Sequence, residues 1–200
     1  MALTSTLSKS SFSLGFIENK RQLEQLWQLD AEAYGDSNLE FDRFERWWQA
    51  YDRGITAVFY EQEIVAAFGL WGLSEKQTRS FVGGNCLEKD LQPLTCRYPT
   101  PFWYWSGIVT KPEFRQQLFS PLRLLLGCGV SSWLMSGSLK YCPNLYVYAL
   151  GMSKEGIGLL DGFQFEKIRE SKEMLDDFPL YVEEVNNYDQ ARSVLNRNRR

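Results

Sequence analysis

Two kinds of hydrophobic pattern alternate along the chain. Compact runs rich in aromatic and β-branched residues occur at Leu14–Ile17, Ile55–Tyr60, Ile64–Trp71, Phe102–Val109, Leu145–Leu150, Phe163–Ile168 and Leu180–Val185. These read as strands. Elsewhere apolar residues return every three or four positions, the spacing of one helix face. Asn19 with Gln22 resembles a capping box that opens a helix. Its apolar face carries Leu23, Leu26, Trp27, Ala33 and Tyr34, and Gly35 ends it. Asn38 is placed to cap a second helix carrying Phe41, Phe44, Trp47, Trp48 and Tyr51, with Gly54 as its C-terminal stop. Glu61-Gln62-Glu63 joins two of the runs as a hairpin. Ser153 caps a short helix that ends at Asp161-Gly162.

The longest organised stretch is Phe102 to Leu134. A strand is followed by a polar turn, and then by apolar residues at Leu122, Leu125, Leu126, Gly129, Val130, Trp133 and Leu134. Ser120-Pro121 marks the start of that helix, with serine at the cap and proline in the first turn. The first amides of a helix lack internal partners, and the helix dipole adds partial positive charge beside them. A phosphate or pyrophosphate is the ligand such an end accommodates, and Arg115 can add a charge-assisted contact. An ordinary strand–helix connection with a surface arginine is the alternative.

The segment Lys111-Pro112-Glu113-Phe114-Arg115 resembles the Lys-Pro-Glu-Tyr-Arg segment of the GCN5-related N-acetyltransferase (GNAT) superfamily. In that family it leads from the fourth strand into Arg/Gln-x-x-Gly-x-Gly/Ala, the loop that cradles the pyrophosphate of acetyl-CoA. Here the loop is Arg115-Gln116-Gln117-Leu118-Phe119-Ser120. Ser120 stands at the second small position, and Leu118 replaces the first glycine. Gly162-Phe163 resembles the family's late Gly-Phe. The inferred order, β-α-α-β-β-β-α-β-α-β-β, is also that of the GNAT fold. The resemblance spans Leu14 to about Val185.

The resemblance implies a single mixed α/β (α+β) domain. Its central, mostly antiparallel sheet would be flanked by helices, with fourth and fifth strands that run parallel and splay apart. It implies acetyl-CoA as co-substrate and no metal, and direct transfer of the acetyl group to a small-molecule or peptide amine. The coenzyme would contact Ile108, Val109 and Thr110 on the fourth strand, with Gly107 beside them, and Arg115, Gln116, Gln117, Leu118, Phe119 and Ser120 in the loop. A backbone N–H of the fourth strand would donate to the developing oxyanion. Many relatives place a tyrosine acid four residues before the late Gly-Phe, and Gly158 occupies that position here. No carboxylate lies between Phe102 and Val109. No catalytic residue is therefore assigned, though Tyr104, Ser106, Tyr146 and Tyr148 are placed to line a cleft. A GNAT-like domain that has lost catalysis and binds a ligand or a protein is the second reading.

Composition narrows the chemistry. The 200 residues suit one domain, read as a disordered terminus over 1–13, a domain over 14–185 and a polar, basic tail over 186–200. Net charge is −3, from 22 basic and 25 acidic residues, which argues against nucleic acid as the main partner. No apolar run reaches membrane-spanning length. Histidine is absent, which excludes His-based triads, general bases and metal ligands. Cys86, Cys96, Cys128 and Cys142 form no Cys-x-x-Cys pair and read as free thiols in a reducing cytoplasm. Ser74 to Pro101 reads as a long irregular connection, either a lid or interface segment or a surface loop. Oligomeric state is open, with a homodimer among the options.

Overall fold

A computed structural model describes residues 12–35, 40–95, 100–115, 142 and 144–186. Seven strands form one sheet: β1 (Phe12–Phe16), β2 (Ile55–Tyr60), β3 (Glu63–Gly72), β4 (Phe102–Thr110), β5 (Leu145–Leu150), β6 (Glu166–Arg169) and β7 (Leu180–Val185). Their spatial order is β1-β2-β3-β4-β5-β7-β6. Every neighbouring pair is antiparallel except β4 and β5, which run parallel. This is the mixed, mostly antiparallel sheet expected from the sequence. Parallel pairing of β4 with β5 covers Phe102↔Tyr146, Trp103↔Val147 and Tyr104↔Tyr148 and then stops. Among the described residues the remainder of β4 pairs with β3 alone, so the two central strands separate.

Helices α1 (Lys20–Tyr34) and α2 (Phe41–Ala50) cover one face. Leu23, Leu26, Leu29, Phe44 and Trp47 pack there against Ile55, Ala67, Trp71, Tyr104 and Val109. The opposite face buries Phe68, Trp103, Trp105, Val147 and Tyr181. There α4 (Lys154–Gly162), capped by Ser153 as expected, adds Leu160. No helix among the described residues is long and apolar enough to cross a membrane.

Several boundaries differ from the expectation, each for a local reason. β1 begins at Phe12 instead of Leu14, because Phe12 and Ser13 still pair with Tyr60 and Phe59 of β2. The β2–β3 turn has two residues, Glu61 and Gln62, both at positive φ (49° and 72°), which suits the twist of a tight hairpin. Asn19 does accept from the Gln22 amide at 3.0 Å, but the Gln22 side chain reaches the N–H of Glu18 instead of that of Asn19. Glu40 precedes α2 without a side-chain cap, and the expected cap Asn38 lies outside the described residues. Tyr51 closes α2, so Gly54 is not its stop. Gly54 is buried against the face of Trp71, where a Cβ would collide with the indole.

The connection over 74–101 contains a helix, α3 (Glu75–Val82), capped by Ser74, and a 3-10 turn, Glu88–Asp90. Gly162-Phe163 does not open β6. Phe163 ends α4 as a buried anchor, Gln164 turns at φ 64°, and β6 starts at Glu166. The helix read from Leu122 to Leu134 lies outside the described residues.

Candidate functional site

Where β4 leaves β5, it also carries a bulge. Phe68 of β3 pairs with Ile108 and Gly69 pairs with Ser106, so Gly107 is an extra residue. It adopts φ +37°, a conformation glycine takes without steric cost. The bulge resets the side-chain alternation. Tyr104 joins the α1 face before it, and Val109 joins the same face after it. The insertion also removes a side chain from a place on β4 that Asp30 and Tyr34 of α1 approach. A Cβ on Gly107 would stand 3.0 Å from Asp30 Oδ1 and 4.0 Å from the Tyr34 ring.

A cavity of about 30 Å³ opens at this point, lined by Asp30, Tyr34, Glu88, Ser106 and Gly107 together with apolar side chains of α1, α2 and β2. That is room for roughly two water molecules. Leu26, Asp30 and Tyr34 are spaced i, i+4, i+8 on α1 and so share the face turned to the sheet. Asp30 makes no hydrogen bond among the described residues, and burial pushes its carboxyl up to about 7. Glu88 is buried in the 3-10 turn, where its Oε1 accepts from the Tyr104 hydroxyl at 2.6 Å. Its own amide donates to Asp176 Oδ2 at 2.7 Å. Burial also pushes the Glu88 carboxyl up to about 7, against the lowering effect of the Tyr104 bond, while the charges of Asp176 and Asp30 raise it further.

Tyr34 hydrogen-bonds the backbone of β4. Its hydroxyl accepts from the Ile108 N–H and donates to the Ile108 carbonyl, both at 3.2 Å. In an antiparallel ladder, successive residues point their polar groups to alternate sides. Ile108 gives both of its groups to Tyr34, on the side that β5 has vacated. Burial, then the nearby Asp30 charge, pushes the Tyr34 hydroxyl up to about 12, so it stays a neutral donor and acceptor.

Of the residues expected to meet the coenzyme, Ile108, Val109 and Thr110 do lie on the separated half of β4. Val109 lines the cavity, and Ile108 presents its backbone to the gap. Arg115 follows a 3-10 turn, Pro112–Phe114; it is exposed, and its Nε donates to the Thr110 carbonyl at 3.0 Å. Gln116, Gln117, Leu118, Phe119 and Ser120 lie outside the described residues. Gly158 is described, and a side chain there would meet open space. Among the residues read as lining a cleft, Tyr104 binds Glu88 and Ser106 Oγ accepts from Trp71 Nε1 at 2.6 Å. Tyr146 instead points to Glu184 at an exposed position, 3.3 Å away.

Sequence reasoning missed Asp30, Tyr34 and Glu88. A signal existed for the first: a carboxylate on the apolar stripe of an amphipathic helix. Glu88 gave none, because its site is made by residues far apart in the chain.

No family model matches the chain, and no curated protein matches it by sequence. Solved structures do match it. A chain of the NatC complex bound to Gag peptide and CoA is 7% identical, covering 88% of this chain and 99% of that one, at a TM-score of 0.59. A GNAT-family acetyltransferase from Staphylococcus aureus Mu50 is 12% identical over 86% of this chain and 98% of its own, at 0.57. An acetyltransferase from Streptococcus agalactiae 2603 is 13% identical over 88% and 99%, at 0.56. The fold is therefore the GNAT fold. Identities this low speak to architecture and leave activity to the residues of this chain.

Proposed function

We propose that the protein is an acyl-CoA-dependent N-acyltransferase, with acetyl-CoA as co-substrate and a small-molecule or peptide amine as acceptor. The observation that carries this reading is the separated half of β4. There a side-chain-free bulge at Gly107 adjoins a raised carboxyl at Asp30, which has no hydrogen-bond partner among the described residues, and backbone groups of Ile108 that no described strand takes up. The NatC complex, one chain of which shares this fold, is bound to CoA, which supports the same ligand class.

The residues present fit such a ligand. The Ile108 N–H is a donor for a thioester oxygen once Tyr34 releases it, and Gly107 adds no side chain beside it. A bound thioester supplies an activated carbonyl carbon. The amine nitrogen attacks that carbon, the carbon–sulfur bond breaks, and CoA leaves as the thiolate, which takes a proton from solvent. Asp30 is the base in this proposal: a carboxyl near 7 takes up the amine's proton at neutral pH, directly or through cavity water. Glu88, held by Tyr104, adds negative charge that favours an incoming ammonium group. Arg115 and the loop after it are assigned the pyrophosphate.

Thiol release from acetyl-CoA, followed across a panel of primary amines, tests the reading. Amine-dependent release that follows one ionisation near neutral pH supports it. Release that is absent for every amine, in a protein that binds CoA, favours the second reading: a GNAT-fold module without catalysis. One observation favours that alternative, namely that Tyr34 already fills the Ile108 donor.

A further inference from the structure

The Tyr34 hydroxyl has an unusual pair of partners, the N–H and the C=O of one residue in the gap between two strands. Strand pairing would normally satisfy these groups, and a buried backbone group left open is costly. Here a hydroxyl does the work, at 3.2 Å to each group, the long end of hydrogen-bond geometry. The same N–H is the donor assigned above to the thioester oxygen. A carbonyl oxygen and the Tyr34 oxygen cannot both accept from it in line.

We propose that Tyr34 occupies the acyl subsite in the free protein as a stand-in for the thioester carbonyl, and that an acyl-CoA engages Ile108 by displacing it. This rests on the acyl-CoA reading and adds a residue that discriminates acylated from free CoA. The device is built to move. Tyr34 is the last residue of α1, and Gly35, at φ 58°, turns the chain out of the helix immediately after it. Displacement therefore involves the last helical turn alone, where helices open most readily. Displacement also uncovers Asp30, whose Oδ1 lies against Gly107 one turn earlier on the helix. Arrival of the acyl group and exposure of the base are then one event.

Calorimetric titration of the full chain and of Tyr34→Phe with acetyl-CoA and with CoA tests this. The phenylalanine keeps the ring and removes both hydrogen bonds. The expected result is acetyl-CoA affinity raised about five-fold, the scale of one net hydrogen bond, with CoA affinity changed less than about two-fold. Faster amide exchange at Ile108 in the variant accompanies it. Acetyl-CoA affinity that is unchanged or reduced in Tyr34→Phe, with CoA bound by both proteins, overturns the stand-in and leaves the acyl-CoA reading in place. Binding of neither ligand by either protein overturns both. If the variant fails to fold, the wild type decides: acetyl-CoA must shift the Ile108 amide and Tyr34 ring resonances where CoA does not, and equal shifts from both ligands overturn the proposal.

Discussion

Replacing Asp30 with asparagine removes one titrating group and almost nothing else. The side chains are nearly isosteric, and Asp30 accepts no hydrogen bond among the described residues that the amide would lose. Its carboxyl rises from 3.8 to about 7 through burial. A carboxyl raised in the native state is easier to ionise in the unfolded chain. The native state therefore loses stability as pH climbs past 3.8, and the loss levels off above about 7. A shift of about three units corresponds to ~4 kcal/mol in full, of which ~1.6 is already present at pH 5. Asp30 is only part-buried and solvent screens it, so a difference of ~2 kcal/mol between pH 5 and pH 8 is the working figure. Denaturant unfolding of both proteins, followed by tryptophan emission, measures it. Asp30→Asn should exceed the wild type by ~1 kcal/mol at pH 5 and by ~3 kcal/mol at pH 8. Glu183, also raised to about 7, titrates in both proteins and cancels in the comparison, whereas Glu88 keeps its main rise from burial and loses only the small part that the Asp30 charge adds. Acyl transfer, in contrast, should fall roughly 10²- to 10⁴-fold above pH 7, and by progressively less at lower pH, where the wild-type carboxyl is already protonated. A stability difference that does not change between pH 5 and pH 8 would refute the raised carboxyl, and with it the base assigned to the site.

Other sites give independent checks. Gly54→Ala should cost about 1–3 kcal/mol in the same unfolding assay, because the new methyl meets the fully buried Trp71 ring, itself packed edge-on against Trp47 at 5.3 Å. Arg115→Ala should weaken CoA binding by roughly 0.5–1 kcal/mol by calorimetry, since Arg115 is exposed and water screens its charge; a loss of about 1.5–3 kcal/mol would mean a shielded contact. No cysteine adduct should appear by intact mass after incubation with acetyl-CoA. Burial raises the Cys86 thiol and its Sγ donates to the Leu87 carbonyl, so thiolate is scarce there; a stable acetyl group mapped to a cysteine would refute direct transfer.

The strands were legible in the sequence because each is a dense β-branched or aromatic run, and the parallel placement of Phe102–Thr110 beside Leu145–Leu150 matched the family order. α1 was legible because Asn19 and Gly35 bracket a regular apolar stripe. α3 was not: eight residues present only Thr78 and Phe81 as buried positions, too few to establish a period. The start of β6 was misread because Phe163 and Phe165 look like strand residues, yet they serve as anchors at the end of α4 and in the turn after it. The site was half legible. Gly107 inside a strand is a bulge signal, and Asp30 on an apolar stripe is a burial signal. The bond from Tyr34 to Ile108, 74 positions away, depends on how α1 crosses β4, and local pattern carries no trace of that.

Titration of the intact chain with acetyl-CoA, read by calorimetry, tests the central claim most directly. Saturable one-to-one binding that protects the Ile108 amide from exchange is the result the GNAT fold and the open half of β4 predict. Absence of binding up to millimolar acetyl-CoA, in both the wild type and Tyr34→Phe, would contradict it.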